Sequence, residues 1–184
     1  AAVAEVLGSP LTQSVAARQE LDTPVGRVRL IPGIKSTMLI DDTYNSSPTA
    51  CEQALSTLSE IKYARRKIAV LGDMLELGRF SSDEHEKIGA LVPKSADMLI
   101  TVGVRARKIA EGALNHGMSE ENILQYEDSV RAGRELQNLL QSGDVVLVKA
   151  SQGIRAEKIV EEVMAHPEQA GQLLVRQDLE WGKR

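Results

Sequence analysis

TMLIDDTYNSSPTACEQALSTLSEI, residues 37–61, runs from an apolar stretch through a polar turn into an amphipathic pattern. Thr37–Ile40 is a short continuous apolar run, as expected of a strand covered on both faces. Beyond the turn, Cys51, Ala54, Leu55, Leu58 and Ile61 fall at i, i+3, i+4, i+7 and i+10, one apolar helix face. Ser47 followed by Pro48 supplies an N-cap and a first-turn proline for that helix. Strand, loop and helix in this order are half of a parallel β–α–β unit.

The same alternation extends along the chain. Apolar runs at Lys67–Leu71, Met98–Val102 and Val145–Val148 predict further buried strands, and Ile123–Tyr126 a weaker one. Arg27–Ile31 alternates as a half-covered strand closed by Pro32-Gly33. Helices are predicted after Ser81, where Ser81 and Glu84 have capping-box spacing, and over Arg105–Leu114, Ser129–Leu140 and Ala156–Met164. The fold class is therefore α/β: a Rossmann-like three-layer domain with a mainly parallel sheet wound by right-handed crossovers. Ala1–Glu20 reads as two short helices broken at Gly8-Ser9-Pro10. The reading divides the chain into an appendage and linker (1–24), the α/β domain (25–166) and a polar tail (167–184).

Composition narrows the function classes. The chain has 184 residues, a net charge of −4, 3% aromatic residues and one cysteine. A mildly acidic surface poor in aromatics does not suit nucleic acid, and a lone cysteine suits a reducing cytoplasm. No apolar run approaches the roughly 18 residues of a membrane span.

Ligands of open parallel sheets sit beyond the carboxyl ends of the strands. Those ends carry Asp41, Asp42, Tyr44 and Asn45 after the first core strand, Asp73 after the second, Gly103 after the third, and Lys149 and Ser151 after the last. Adjacent carboxylates suit a ribose hydroxyl or a magnesium ion, Tyr44 a flat base, and Asn45 both donation and acceptance. A polar strand end is also what any strand leaving a core shows. Gly33-Ile34-Lys35-Ser36-Thr37 resembles part of a phosphate-binding loop. It lacks the required glycine spacing and precedes a strand, and no dinucleotide fingerprint occurs. His85 has no metal-spaced partner and is expected on the surface or as a helix cap, and Cys51 in the core.

Three runs resemble the Mur-type ATP-dependent peptide ligases, closest to their D-alanyl-D-alanine-adding branch. They are Leu39-Ile40-Asp41-Asp42-Thr43-Tyr44-Asn45-Ser46-Ser47-Pro48; Lys67 to Gly78 with His85 and Ile88-Gly89; and Val148-Lys149-Ala150-Ser151 with Glu157. Ala150 stands where the family has glycine. The resemblance spans roughly residues 25 to 165. It implies the C-terminal domain of a three-domain cytoplasmic enzyme that works as a monomer, with residues 1–24 as the end of the central ATPase domain and a linker. That enzyme activates a UDP-muramoyl-tripeptide carboxylate as an acyl phosphate, using ATP and Mg2+ held mainly by a central domain. D-alanyl-D-alanine then attacks. By this resemblance Asp42, Tyr44 and Asn45, with Asp41 nearby, face the nucleotide, and Asp73, Glu76, Lys149 and Ser151 lie toward the dipeptide. Without a phosphate loop the chain is expected to be inactive alone. Three alternatives are a related ligase with another amino acid substrate, a receiver-like signalling module and a non-catalytic interaction domain. A receiver needs a strand between its acidic pair and its acceptor aspartate, whereas Asp73 ends the very next strand.

Overall fold

The computed structural model describes residues 24–178, 180 and 181; the two helices expected within Ala1–Glu20 lie outside them. Six strands form one sheet: β1 (Arg29–Gly33), β2 (Thr37–Asp42), β3 (Arg66–Gly72), β4 (Met98–Val102), β5 (Ile123–Tyr126) and β6 (Asp144–Lys149). Their order is β1-β2-β6-β3-β4-β5. β1 pairs antiparallel with β2, and the other pairs are parallel.

Alternate strand residues enter two cores. Leu39, Ile68, Val70, Ile100, Val146 and Val148 face one side; Ile40, Ala69, Leu71, Leu99, Val145 and Leu147 face the other. The second side is covered by α1 (Pro48–Glu60), α2 (Ser81–Leu91) and α3 (Arg107–Asn115). The first is covered by α4 (Ser129–Leu139) and α5 (Glu157–Val163). Ala170, in the short α6 (Ala170–Leu173), and Leu174 also join the first core. The chain past α5 is thus packed against the domain, although its composition reads as a polar tail.

The structure corrects two local readings, the bounds of the edge strand and the Ser81–Glu84 cap, and gives the Gly33–Thr37 segment its place. The edge strand starts two residues later than its alternation suggests and includes Pro32-Gly33, because Arg29 pairs with Asp41 at one end and Gly33 with Thr37 at the other. An edge strand can spare the amide that proline lacks. The Gly33–Thr37 segment is the tight link from β1 to β2, and Lys35 Nζ donates to the Gln137 and Leu140 carbonyls at the end of α4. That lysine caps a helix. Finally, Ser81 and Glu84 form no capping box: a 3₁₀ turn at Gly78–Phe80 runs straight into α2, and no side chain caps it.

β2 leads to α1 on one face, and its neighbour β6 leads to α5 on the other. Adjacent parallel strands whose helices depart to opposite faces leave a crevice at their carboxyl ends.

Candidate functional site

β2 and β6 run in parallel register with Asp42 beside Lys149. Both residues follow the alternation onto the α1 side of the sheet, beyond Ile40 and Leu147. Lys149 is only 2% exposed, so its ammonium needs partners. It donates to Asp42 Oδ2 at 2.6 Å and to the Asn45 carbonyl at 3.0 Å. Asp42 Oδ1 has no hydrogen-bond partner among the described residues, and Asp42 lines a cleft of about 430 Å³. Tyr44, Asn45, Ser46 and Ser47 line it too, as do Gln53 and Thr57 one and two turns into α1. α1 begins here with Ser47 as its N-cap, accepting the Ala50 amide, and Pro48 as its first residue.

Asp41 points the other way. It is fully buried, and its Oδ1 accepts from the Thr43 amide at 3.2 Å and the Thr43 hydroxyl at 2.6 Å. Burial raises its pKa above the usual carboxylate value, against the lowering effect of the Thr43 bonds. The adjacent carboxylates therefore cannot grip one ligand together: a strand sends neighbours to opposite faces. Asp41 shapes the turn, and Asp42 alone reaches the cleft.

Tyr44 is 47% exposed, but the Arg27 guanidinium lies over its ring, 4.4 Å from the centroid. One face of the ring is thus occupied by a cation, which suits such a stack. Asn45 is exposed and its side-chain amide is unengaged among the described residues, while its carbonyl holds Lys149.

The weaker candidates separate from this cleft. Asp73 is buried and accepts the Ala106 amide at 2.7 Å, with Arg105 at 3.7 Å; its carboxylate organises the entry to α3. Ser151 is buried, accepts the Leu75 amide and donates to the Ser46 carbonyl, tying the β3 and β6 loops to the β2 loop. Glu76 is exposed, in a left-handed turn with φ 68°. Of the four, only Lys149 lines the cleft. Ala150 is buried, and a Cβ on Gly72 would stand 2.6 Å from its own. The methyl group at 150 fits because its neighbour has none.

His85 is fully buried, not on the surface as its sequence context suggests. Its Nε2 accepts the Met74 amide at 2.9 Å and its Nδ1 lies 2.6 Å from the Ser81 carbonyl. These partners select the neutral tautomer with the proton on Nδ1. Burial lowers its pKa, opposed by the Ser81 bond. Cys51 lies in the core, where burial pushes its thiol up to about 12; that is no nucleophile.

Sequence reasoning missed Arg27, and it named Glu157 within a motif without the buried charge cluster that this residue anchors behind the loop. Glu157, fully buried at the start of α5, takes Arg155 on Oε1 and Arg176 on Oε2. Arg176 reaches the Thr43 and Tyr44 carbonyls. No spacing rule links a residue of the last twenty to a turn more than a hundred positions earlier.

A doubly wound sheet with an antiparallel edge strand and a polar cleft at its switch point defines an α/β domain of the kind that places ligand sites at such a crevice. This chain belongs to the Mur ligase, glutamate ligase domain family, which matches residues 26–152. It is 33% identical over 142 residues to the UDP-N-acetylmuramoyl-tripeptide–D-alanyl-D-alanine ligase of Bacillus subtilis, covering 77% of this chain and 31% of that protein. It is 31% identical over 185 residues to the enzyme of the same name from Mycobacterium bovis, covering 90% and 36%. The MurF ligase of Thermotoga maritima, solved in complex with ADP, superposes with a TM-score of 0.71 at 27% identity, over 88% of this chain and 35% of that one. MurF of Acinetobacter baumannii gives 0.71 at 29% identity, over 85% and 34%. The chain therefore spans about a third of the length of the relatives it matches.

Proposed function

We propose that this chain serves as the C-terminal domain of an ATP-dependent ligase of the cytoplasm that joins D-alanyl-D-alanine to UDP-muramoyl-tripeptide. Its Asp42–Asn45 edge faces the nucleotide. The observation that carries the reading is the open cleft at the β2/β6 switch point, where Asp42 Oδ1 and the Asn45 amide are unengaged among the described residues. It lies in a chain whose relatives over 142 and 185 residues bear that ligase's name. The ADP complex of the Thermotoga maritima relative supports a nucleotide as the ligand.

The cleft suits the sugar edge of a nucleotide better than its phosphates. Asp42 can accept from a hydroxyl, and Asn45 can donate and accept. Mg2+ does not fit these residues. Asp42 is already neutralised by Lys149, Asp41 faces away, and no group of three His, Cys, Asp or Glu suited to a metal occurs among the described residues. Phosphates and metal then fall to the upstream part of the ligase. The role of this domain is positioning: closing on the nucleotide aligns the attacking amine and excludes water from the acyl phosphate.

The test restores the upstream coding sequence and measures ATP-dependent ligation of the dipeptide to the tripeptide precursor. Asp42→Ala and Asn45→Ala should each lower kcat/KM by about tenfold or more, as loss of a hydrogen bond to a bound ligand does. Ligation of a different amino acid would keep the family and overturn the substrate. Full activity in both variants would overturn the nucleotide-facing edge.

A further inference from the structure

The loop Thr43–Asn45 carries the groups that line the cleft, yet most of its backbone is held by residues outside it. The Tyr44 amide donates to the Gly26 carbonyl at 2.9 Å. Lys149 takes the Asn45 carbonyl. The two carbonyls between, of Thr43 and Tyr44, both accept from one guanidinium: Arg176 Nη2 at 2.6 Å and Nη1 at 3.2 Å.

Arg176 is itself fixed. Its Nε and Nη2 donate to Glu157 Oε2 at 3.1 and 2.8 Å, so each of its three nitrogens is engaged. A planar fork can span a carboxylate and two carbonyls at once; a lysine ammonium cannot. Glu157 has no exposure, and its other oxygen is taken by Arg155. Arg155 and Arg176 both sit in left-handed backbone, φ 59° and 58°. Non-glycine residues hold that conformation only where their surroundings enforce it.

A second contact joins the same pieces. Val175 is buried against Gly26, where an added Cβ would stand 2.8 Å from Val175 Cγ1 and 3.0 Å from the Tyr44 nitrogen. The turn before β1, the cleft loop and the segment after α6 thus interlock. All three of Arg155, Glu157 and Arg176 lie beyond the residues matched to the family, 26–152.

We propose that Arg176 is a positioning residue for the nucleotide-facing loop: by gripping the Thr43 and Tyr44 carbonyls from Glu157, it presents Asp42, Tyr44 and Asn45 to the ligand. The segment after α6 is thereby part of the site, holding the loop by its carbonyls. This rests on the ligase reading for its kinetic consequence but not for its geometry.

Two measurements test it. In the ligase with its upstream domains restored, Arg176→Ala and Arg176→Lys should both raise KM for ATP by about tenfold, with kcat within about twofold of wild type. In this 184-residue chain, amide exchange should quicken over residues 43–46 in both variants and stay unchanged in β3 and β4. A residue that merely neutralised Glu157 would be rescued by lysine. Full rescue, an unchanged KM in an active enzyme, or unaltered exchange at 43–46 would each overturn the proposal. If Arg176→Ala fails to fold, Arg176→Lys, which keeps a cation at Glu157, decides alone. If the wild-type ligase does not join the dipeptide, the substrate reading fails while loop exchange still judges the clamp.

Discussion

Replacing Lys149 by methionine keeps most of the side chain's bulk and removes only the ammonium. The ammonium makes two hydrogen bonds, to Asp42 Oδ2 and the Asn45 carbonyl, and the side chains are 2% and 11% exposed for Lys149 and Asp42. Breaking a buried pair from one side costs about 3–5 kcal/mol, because the surviving charge is stranded. Asp42 borders the cleft and can recruit water on its Oδ1 side, so the low end applies: about 3 kcal/mol. At about 2–4 °C per kcal/mol for a domain of this size, Tm should fall by about 6–12 °C. The Asp42→Asn/Lys149→Met double variant removes both charges, so it should be less destabilised than the two single changes summed, by about 1–2 kcal/mol. Urea unfolding of the four proteins at one pH gives the cycle directly. Additivity within about 0.5 kcal/mol, or a Lys149→Met protein as stable as wild type, would refute the claim that this pair is desolvated and mutually dependent.

Two further changes probe the frame around the site. At Gly89 on α2 a Cβ would stand 2.1 Å from the Ile109 carbonyl oxygen of α3, so Gly89→Ala must push two helices apart. That overpacking outweighs the roughly 1 kcal/mol of helix propensity gained, and urea unfolding should show a net loss of about 2 kcal/mol. Gly171→Ala, where nothing lies within 4 Å, should show none. His85 is held neutral, with a folded pKa below its unfolded value of 6.5. The unfolded chain therefore binds the extra proton first, and this stability is lost as pH falls below about 6.5, down to the folded pKa. His85→Gln should flatten the wild-type loss of stability between about pH 7.5 and 5.5, measured as the urea midpoint. Subtracting the two proteins cancels what Asp41 contributes, since Asp41 is common to both.

Much of this fold is legible from apolar periodicity. β2, β3, β4 and β6 are continuous Val, Ile and Leu runs because both their faces are covered, and α1 shows its buried stripe at Cys51, Ala54, Leu55 and Leu58. The edge strand misleads because one of its faces is open and pairing with β2, not its own alternation, sets its ends. His85 misleads for a related reason: acidic neighbours in sequence suggest a surface position, while the helix turns the ring inward onto the Met74 amide. The Asp41-Asp42-Thr43-Tyr44-Asn45 run announces a site, but not that its two carboxylates diverge. That follows from the strand continuing through Asp42. Arg176 and Arg27 are silent in sequence, because their roles depend on where distant segments land.

The charges at this edge are mostly spent internally. Asp42 meets Lys149, Asp73 meets Arg105, and Glu157 meets Arg155 and Arg176. A site meant to capture Mg2+ or a triphosphate unaided would leave carboxylates clustered or backbone amides cradled in a glycine-rich loop. Here the salt bridges fix the loops, and among the described residues what faces outward is one open carboxylate oxygen, one free amide and a stacked Tyr44–Arg27 pair. Under the proposed ligase function, such a surface reads a ligand that another domain has already oriented. It gains little affinity alone and much precision on closure, because its groups pay little further ordering entropy. On the ligase reading, the buried ion pairs of this domain are what let a distant, separately folded ATP site rely on it for alignment.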